Sequence, residues 1–367
     1  MRKVFFSLVL VLMGAGAVYL VSNFKFDGSF SLVTKKAPKV AKAGKADVKK
    51  PVKAASKDAL PATRAKLTAV LEKIQAGKST DLPADYFSVV RLAREVGDDQ
   101  TYVSAMRHLV EAFSKSGQAL KVAPELAGVY AAKNDFETAR RIYSFAYKRA
   151  ADYRERRALA AKLDPICERL IFSRKKFSEC VFYRVQQGDK LIRLAAKYNC
   201  PYRFIQRINK KRDDRLRIGE RLKIICGPDD SKMNVKVVVC KSEFTLTVYL
   251  NGVYMRSYPV AIGRDDATPT ATFKIVDRLK HPAWHAPDGN VYPYGSKKNI
   301  LGEYWLKFND DEYSGFGIHG TGDSTVDPKK PETIQRAISA GCIRMFNRDV
   351  TDLSMLVPRG TVVEIRE

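Results

Sequence analysis

No two cysteines in the 367 residues stand in a C-x-x-C spacing, so a zinc ribbon is excluded. Histidine is scarce: His108, His281, His285 and His319 are the full complement, so few imidazoles can serve as a base. Acidic side chains are outnumbered, 40 against 65 basic, for a formal net charge of +25. Such a balance points to polyanionic partners. No nucleic-acid-binding motif accompanies it, and no nucleic-acid partner is expected. Cysteine is limited to Cys167, Cys180, Cys200, Cys226, Cys240 and Cys342. Reserving Cys342 as a reactive thiol leaves an odd number, so at least one more is unpaired or intermolecular. Cys180 and Cys226 bracket one small module and could be bridged; buried free thiols are equally allowed.

What the chain does have is one stretch with paired nucleophile and base. It reads Phe316-Gly317-Ile318-His319-Gly320-Thr321, a polar insert, then Ser339-Ala340-Gly341-Cys342-Ile343-Arg344-Met345. A thiol of ordinary pKa is only a few per cent thiolate at neutral pH and needs a base to attack a carbonyl. An imidazole can take that proton and return it to the leaving group. Glycines beside both residues let backbone approach a substrate, so that nearby N–H groups can hold an oxyanion.

This stretch resembles the catalytic motif of L,D-transpeptidases, the YkuD-type family that cross-links bacterial peptidoglycan. The family pattern is His-Gly-Thr, a spacer, then Ser/Thr-His-Gly-Cys-Ile/Val-Arg. The resemblance implies Cys342 as nucleophile, His319 as base and the Gly320 carbonyl as the acceptor that orients the ring. It implies that Ser339 and Arg344 shape the site, with N–H groups near Gly341 and Cys342 holding the oxyanion. It requires no metal or organic cofactor. Two departures stand out: Ala340 replaces the usual histidine, and the spacer is slightly long. Altered donor binding or rate is expected from the first. His281, His285 and His108 are not expected to be catalytic. Trp284 and Tyr304 read as core or cleft wall, and Asp323 and Asp327 as solvated turn residues.

Taken in order, the chain reads as a multidomain protein. Residues 1–22 open with Arg2-Lys3 and an uncharged, mainly apolar run from Val4 to Val21, long enough for a membrane helix of about 27 Å. It is a signal anchor or a cleaved signal peptide, and either exports the rest. Residues 23–61 are a Lys/Ala/Pro-rich linker, which buries too little apolar surface to fold. Residues 62–178 read as helical and resemble tetratricopeptide repeats. Leu126-Ala127, Tyr130, Ala139, Tyr143 and Ala146 are matched about 34 residues earlier by Leu92-Ala93, Val96, Ala105, Leu109 and Ala112. A concave surface there could dock a protein partner.

Residues 182–226 resemble a LysM domain of βααβ form. Tyr183-Arg184-Val185-Gln186-Gln187-Gly188-Asp189-Lys190-Leu191 matches its opening, and Leu216 to Ile224 its close. Asp189 is placed to cap the first helix. The resemblance implies binding to N-acetylglucosamine-containing glycan. Residues 233–367 form the catalytic domain, expected as a mainly-β sandwich. Phe244, Leu246, Val248 and Leu250 alternate with polar residues, and Asn251-Gly252 supplies a hairpin turn. Thr268-Pro269-Thr270 and His281-Pro282-Ala283-Trp284 resemble further family segments. Asn347 reads as the N-cap of a helix carrying Val350, Leu353, Leu356 and Val357 on one face.

The expected function is a cysteine-dependent L,D-transpeptidase. It joins peptidoglycan stem peptides, or attaches a protein to them, and is held on glycan by LysM and at the inner membrane by its N-terminal helix on the exported side of a bacterial envelope. The alternatives are an L,D-carboxypeptidase, if water takes the acyl group, or a non-catalytic wall-binding scaffold.

Overall fold

The computed structural model describes residues 59–309, 315–322 and 326–367. The expected N-terminal helix, most of the lysine-rich linker and Asp323 lie outside these. Among the described residues no helix is long and apolar enough to cross a membrane.

Among the described residues six helices come first: α1 (Leu60–Gln75), α2 (Leu82–Val96), α3 (Asp99–Ala112), α4 (Gly117–Ala132), α5 (Phe136–Arg149) and α6 (Tyr153–Leu170). Five begin at a side-chain cap. Asp81, Asp98, Ser116, Asp135 and Asp152 each accept the backbone N–H three residues on, satisfying one donor that the first turn leaves unpaired. Gly97 closes α2 at φ 74°. The helices pack as successive antiparallel hairpins, with Ala93, Leu109, Leu126, Ala127 and Ala139 wholly buried where they meet.

The small module follows: β1 (Cys180–Arg184), α7 (Leu191–Tyr198), α8 (Tyr202–Asn209) and β2 (Arg221–Ile225), with β1 and β2 antiparallel. Asp189 does not cap α7. Its carboxylate accepts the Gln186 N–H at 2.7 Å and closes the preceding turn instead. Cys180 and Cys226 are not bridged; all six cysteines are free thiols, and all but Cys342 are buried. That is the usual fate of a small apolar side chain in a core.

The C-terminal domain contains β3 (Val235–Cys240), β4 (Thr245–Leu250), β5 (Val253–Pro259), β6 (Ile262–Gly263), β7 (Thr272–Lys280), β8 (Trp284–His285), β9 (Val291–Tyr292), β10 (Tyr304–Phe308), β11 (Gly317–His319), β12 (Ala337–Ser339), β13 (Ile343–Arg344), α9 (Asn347–Leu356) and β14 (Val362–Arg366). The expected sandwich is, in its hydrogen bonding, one eight-stranded sheet ordered β13-β11-β10-β7-β14-β3-β4-β5. Short pairs β6–β12 and β8–β9 lie outside it. Asn251 (φ 48°) and Gly252 (φ 77°) turn the β4–β5 hairpin in the left-handed conformation that such two-residue loops require. Asn347 is the first residue of α9, with Phe346 at the cap position, and its side chain makes no cap. That side chain is used elsewhere, as described below.

The sheet's two edges have different fates. An exposed edge strand invites pairing with another chain. At β5 the helices prevent this: Arg140 Nε donates to the Tyr254 carbonyl at 2.9 Å, and Ser144 Oγ accepts the Tyr254 N–H at 2.8 Å. Tyr147 and Thr247 hydroxyls meet at 2.8 Å, and Arg156 holds Glu243 through two nitrogens. The small module is docked as well. Buried Lys223 of β2 donates to the carbonyls of Leu170 and Ser173 at the end of α6. Arg203 and Arg207 of α8 reach Tyr304 and Asp352. The opposite edge, β13–β11, is left for the site.

Candidate active site

β11 and β13 run parallel, with Ile318 beside Ile343 and His319 beside Arg344. Side chains alternate faces along a strand. Ile318 and Ile343 therefore point together into the core, where both are fully buried. The same alternation carries His319 and Arg344 to the other face, and Cys342 immediately precedes β13.

His319 is 2% exposed. Its Nδ1 lies 2.7 Å from the Gly320 carbonyl oxygen. A carbonyl can only accept, so the neutral ring carries its proton on Nδ1 and keeps the lone pair on Nε2. Burial lowers the imidazole's pKa to about 4; the Arg344 charge pushes the same way, and the Gly320 carbonyl opposes both. The ring is thus a neutral acceptor at physiological pH. Cys342 is partly exposed. Burial raises its thiol above the ordinary value, partly offset by the Gly317 N–H, the Arg344 charge and its own N–H. The thiol's hydrogen bond runs to the Gly315 carbonyl at 3.7 Å, not to the imidazole. Thiol and ring, the two sequence-identified groups, are both neutral.

The turn that carries the thiol is fastened from three sides. Ser339 Oγ donates to the Cys342 carbonyl at 2.6 Å and accepts the Gly341 N–H at 3.1 Å. The Gly341 N–H is thus bonded to Ser339 within the turn, and the backbone N–H groups that act on the sulfur are those of Gly317 and Cys342. Thr268 Oγ1 donates to the Gly341 carbonyl at 2.5 Å. Ala261 and Arg344 exchange backbone bonds at 2.8 and 2.9 Å. Gly341 sits at φ +143°, and a Cβ there would come within 3.1 Å of the Ala267 carbonyl. Ala340 lies exposed beside it.

The remaining candidates are elsewhere. His281 stacks on Tyr294 and lies 3.2 Å from Glu303, while Trp284 stacks on Tyr292. His285 ends the short β8 strand. His108 packs against Tyr86 and Phe113. Tyr304 is buried in β10, and Asp327 accepts the Lys329 N–H within a turn. Sequence reasoning missed Asn347 as part of the site. Its Oδ1 accepts the N–H groups of Glu303 (3.0 Å) and Thr321 (3.1 Å), and its Nδ2 donates to the Thr321 carbonyl at 2.8 Å. A signal existed in Gly302 and Gly320, since a Cβ on either would stand 2.2 Å from that oxygen.

A cysteine and a neutral imidazole at the edge of a β-sheet define a candidate thiol acyltransferase site. Comparisons narrow the class. The family model for the YkuD L,D-transpeptidase catalytic domain matches residues 234–365, and that for the LysM domain matches residues 183–224. A protein of Bacillus subtilis (strain 168) named L,D-transpeptidase YkuD is 34% identical over 184 residues, covering 50% of this chain and 97% of that protein. One of the same name from Bacillus licheniformis is 31% identical over 189 residues, covering 50% of this chain and 98% of that protein. The chain belongs to the L,D-transpeptidase family and carries a LysM domain. A crystal structure of an L,D-transpeptidase from Mycobacterium tuberculosis H37Rv aligns at 16% identity over 42% of this chain and 75% of that one, with a TM-score of 0.30.

Proposed function

We propose that this protein is a cysteine L,D-transpeptidase of peptidoglycan, with Cys342 as nucleophile and His319 as base. The observation that supports the assignment is that Cys342 stands immediately before β13, whose Arg344 pairs with His319 on parallel β11, with the thiol partly open to solvent and the ring bonded through Nδ1 to the Gly320 carbonyl.

Thiol and imidazole are both uncharged at rest, so proton transfer accompanies attack. The thiol turns from Gly315 toward the ring and gives its proton to Nε2. Sγ attacks the carbonyl between the third stem residue and the terminal D-Ala. The tetrahedral oxyanion collapses, the C–N bond breaks, and the D-Ala amine leaves with the proton from the imidazolium. An acceptor amine then loses a proton to Nε2 as it attacks the thioester, and Cys342 departs as thiolate and recovers that proton. The Arg344 guanidinium favours each stage in which negative charge sits on sulfur and disfavours a long-lived imidazolium. The N–H groups of Gly317 and Cys342 are the donors beside the sulfur.

The LysM domain would hold the enzyme on glycan. It is docked on α6 and α9 rather than hung on a free linker, so sugar-binding surface and thiol keep a fixed relation. The apolar N-terminal segment would anchor the protein to the inner membrane on its exported side. The helical hairpins offer a surface to a protein partner, although α5 and α6 are already engaged in closing the β5 edge.

A carbapenem tests the chemistry. Purified protein should gain one adduct mass, and Cys342→Ala should gain none. An unmodified wild type would leave a wall-binding scaffold. Tetrapeptide muropeptides then separate the acceptors: cross-linked dimer marks transpeptidation, whereas monomeric tripeptide alone marks carboxypeptidase action.

A further inference from the structure

The Gly320 carbonyl that receives His319 Nδ1–H and the Thr321 N–H that donates to Asn347 belong to one peptide group. A peptide group is planar, with its C=O and N–H pointing in opposite directions. Fixing one end therefore fixes the other. We propose that Asn347 is a positioning residue for the catalytic imidazole, setting its tautomer and ring orientation through the Gly320–Thr321 peptide plane. This rests on His319 being the base.

Three observations carry it. Asn347 grips the segment from both sides, accepting from Thr321 N and donating to Thr321 O, so the peptide plane cannot rotate without breaking a bond. Its Oδ1 also accepts Glu303 N–H, which ties the loop to the segment entering β10. The preceding peptide is held independently, by Gly320 N–H to the Tyr304 carbonyl at 3.1 Å and Met345 N–H to the His319 carbonyl at 2.8 Å. The His319 backbone is thus placed by the sheet, while the acceptor for its ring is placed by Asn347. Glycine at both 302 and 320 leaves the room that the amide oxygen occupies. Asn347 begins α9, whose buried Val350, Leu353 and Leu356 anchor it in the core.

The test reads the ring itself. The full chain, labelled with 15N-histidine, gives four imidazoles, and the His319 resonances are those lost in His319→Gln. Wild type should show a protonated Nδ1 and an unprotonated Nε2. Asn347→Leu, similar in volume but unable to bond, should mix the tautomers and slow carbapenem acylation about 100-fold, the effect of a misplaced reacting group. Asn347→Asp keeps the acceptor for both N–H groups; it should retain the Nδ1–H tautomer and acylate at least tenfold faster than Asn347→Leu. If Asn347→Leu does not fold, Asn347→Ser, too short to reach Thr321, takes its place with the same expectations. A tautomer unchanged in a folded Leu or Ser variant, or lost in the Asp variant, overturns the proposal. Failure of the enzymatic reading is distinct: wild type would then take no adduct, whatever its tautomer.

Discussion

Thr268 Oγ1 stands between two backbone groups, accepting the Gly263 N–H at 2.7 Å and donating to the Gly341 carbonyl at 2.5 Å. One buried hydroxyl thereby joins the loop after β6 to the residue before Cys342. Thr268→Val keeps the shape and removes both bonds, leaving a buried donor and acceptor unmet. The expected cost is about 2–4 kcal/mol of stability, read from urea unfolding midpoints. Carbapenem acylation should slow as well, because the turn holding Cys342 loosens. Stability within about 0.5 kcal/mol of wild type, the scatter of surface substitutions, would deny Thr268 this role.

His319 should make folding acid-sensitive. Its folded pKa is lowered to about 4 from an ordinary 6.5. Between those values the unfolded chain binds a proton that the folded protein refuses. Stability is therefore full above pH 6.5 and falls as pH drops toward 4, by about 3 kcal/mol in total. His319→Gln removes this contribution, so the gap between the two proteins should narrow as pH falls. Parallel denaturation curves at pH 7 and pH 4.5 measure it; an equal gap at both would contradict a buried neutral ring.

The thiol's raised pKa gives a second pH signature. Iodoacetamide reacts with thiolate, so modification of Cys342 should keep rising through pH 9 rather than level off near neutrality. Arg344 lowers the pKa of both groups. Arg344→Gln should raise both, moving the acid limb of the acylation profile toward neutrality and slowing alkylation further at a given pH. A Cys342 alkylation curve that plateaus by pH 7 would instead indicate a stabilised thiolate.

Arg140 closes the far edge of the sheet. It is 2% exposed, paired with Glu179 and bonded to the Tyr254 carbonyl. Arg140→Leu strands a buried carboxylate and should cost about 3–5 kcal/mol. Adding Glu179→Met should recover part of that loss, because the stranded charge goes too. Light scattering should rise in the single variant as the β5 edge becomes available for pairing. A single variant as stable as wild type would show the edge to be closed by packing alone.

Much of this was legible in the chain. The helical region followed from its repeated small and large positions, the β4 strand from its alternation, and the β4–β5 turn from Asn251-Gly252. The thiol and imidazole were visible because their flanking residues repeat a motif. Two assignments made by local rules moved. Asp189 closes a turn instead of capping α7, and Asn347 braces the His319 loop instead of capping α9. In each case a side chain eligible for a nearby amide found a better-placed one.

Sequence alone determined many of the elements and singled out Cys342 and His319, since residue periodicity and short motifs act within a few residues. Tertiary structure alone decided which amides face the sulfur, why the Gly341 N–H is not among them, and how the ring's acceptor is held. It also decided that helices seal one sheet edge while the other carries the site. Those outcomes depend on hydrogen bonds between residues far apart in the chain, as Thr268 with Gly341 or Arg140 with Tyr254. Such bonds are set by direction and distance in the folded chain, and neither quantity leaves a period in the sequence.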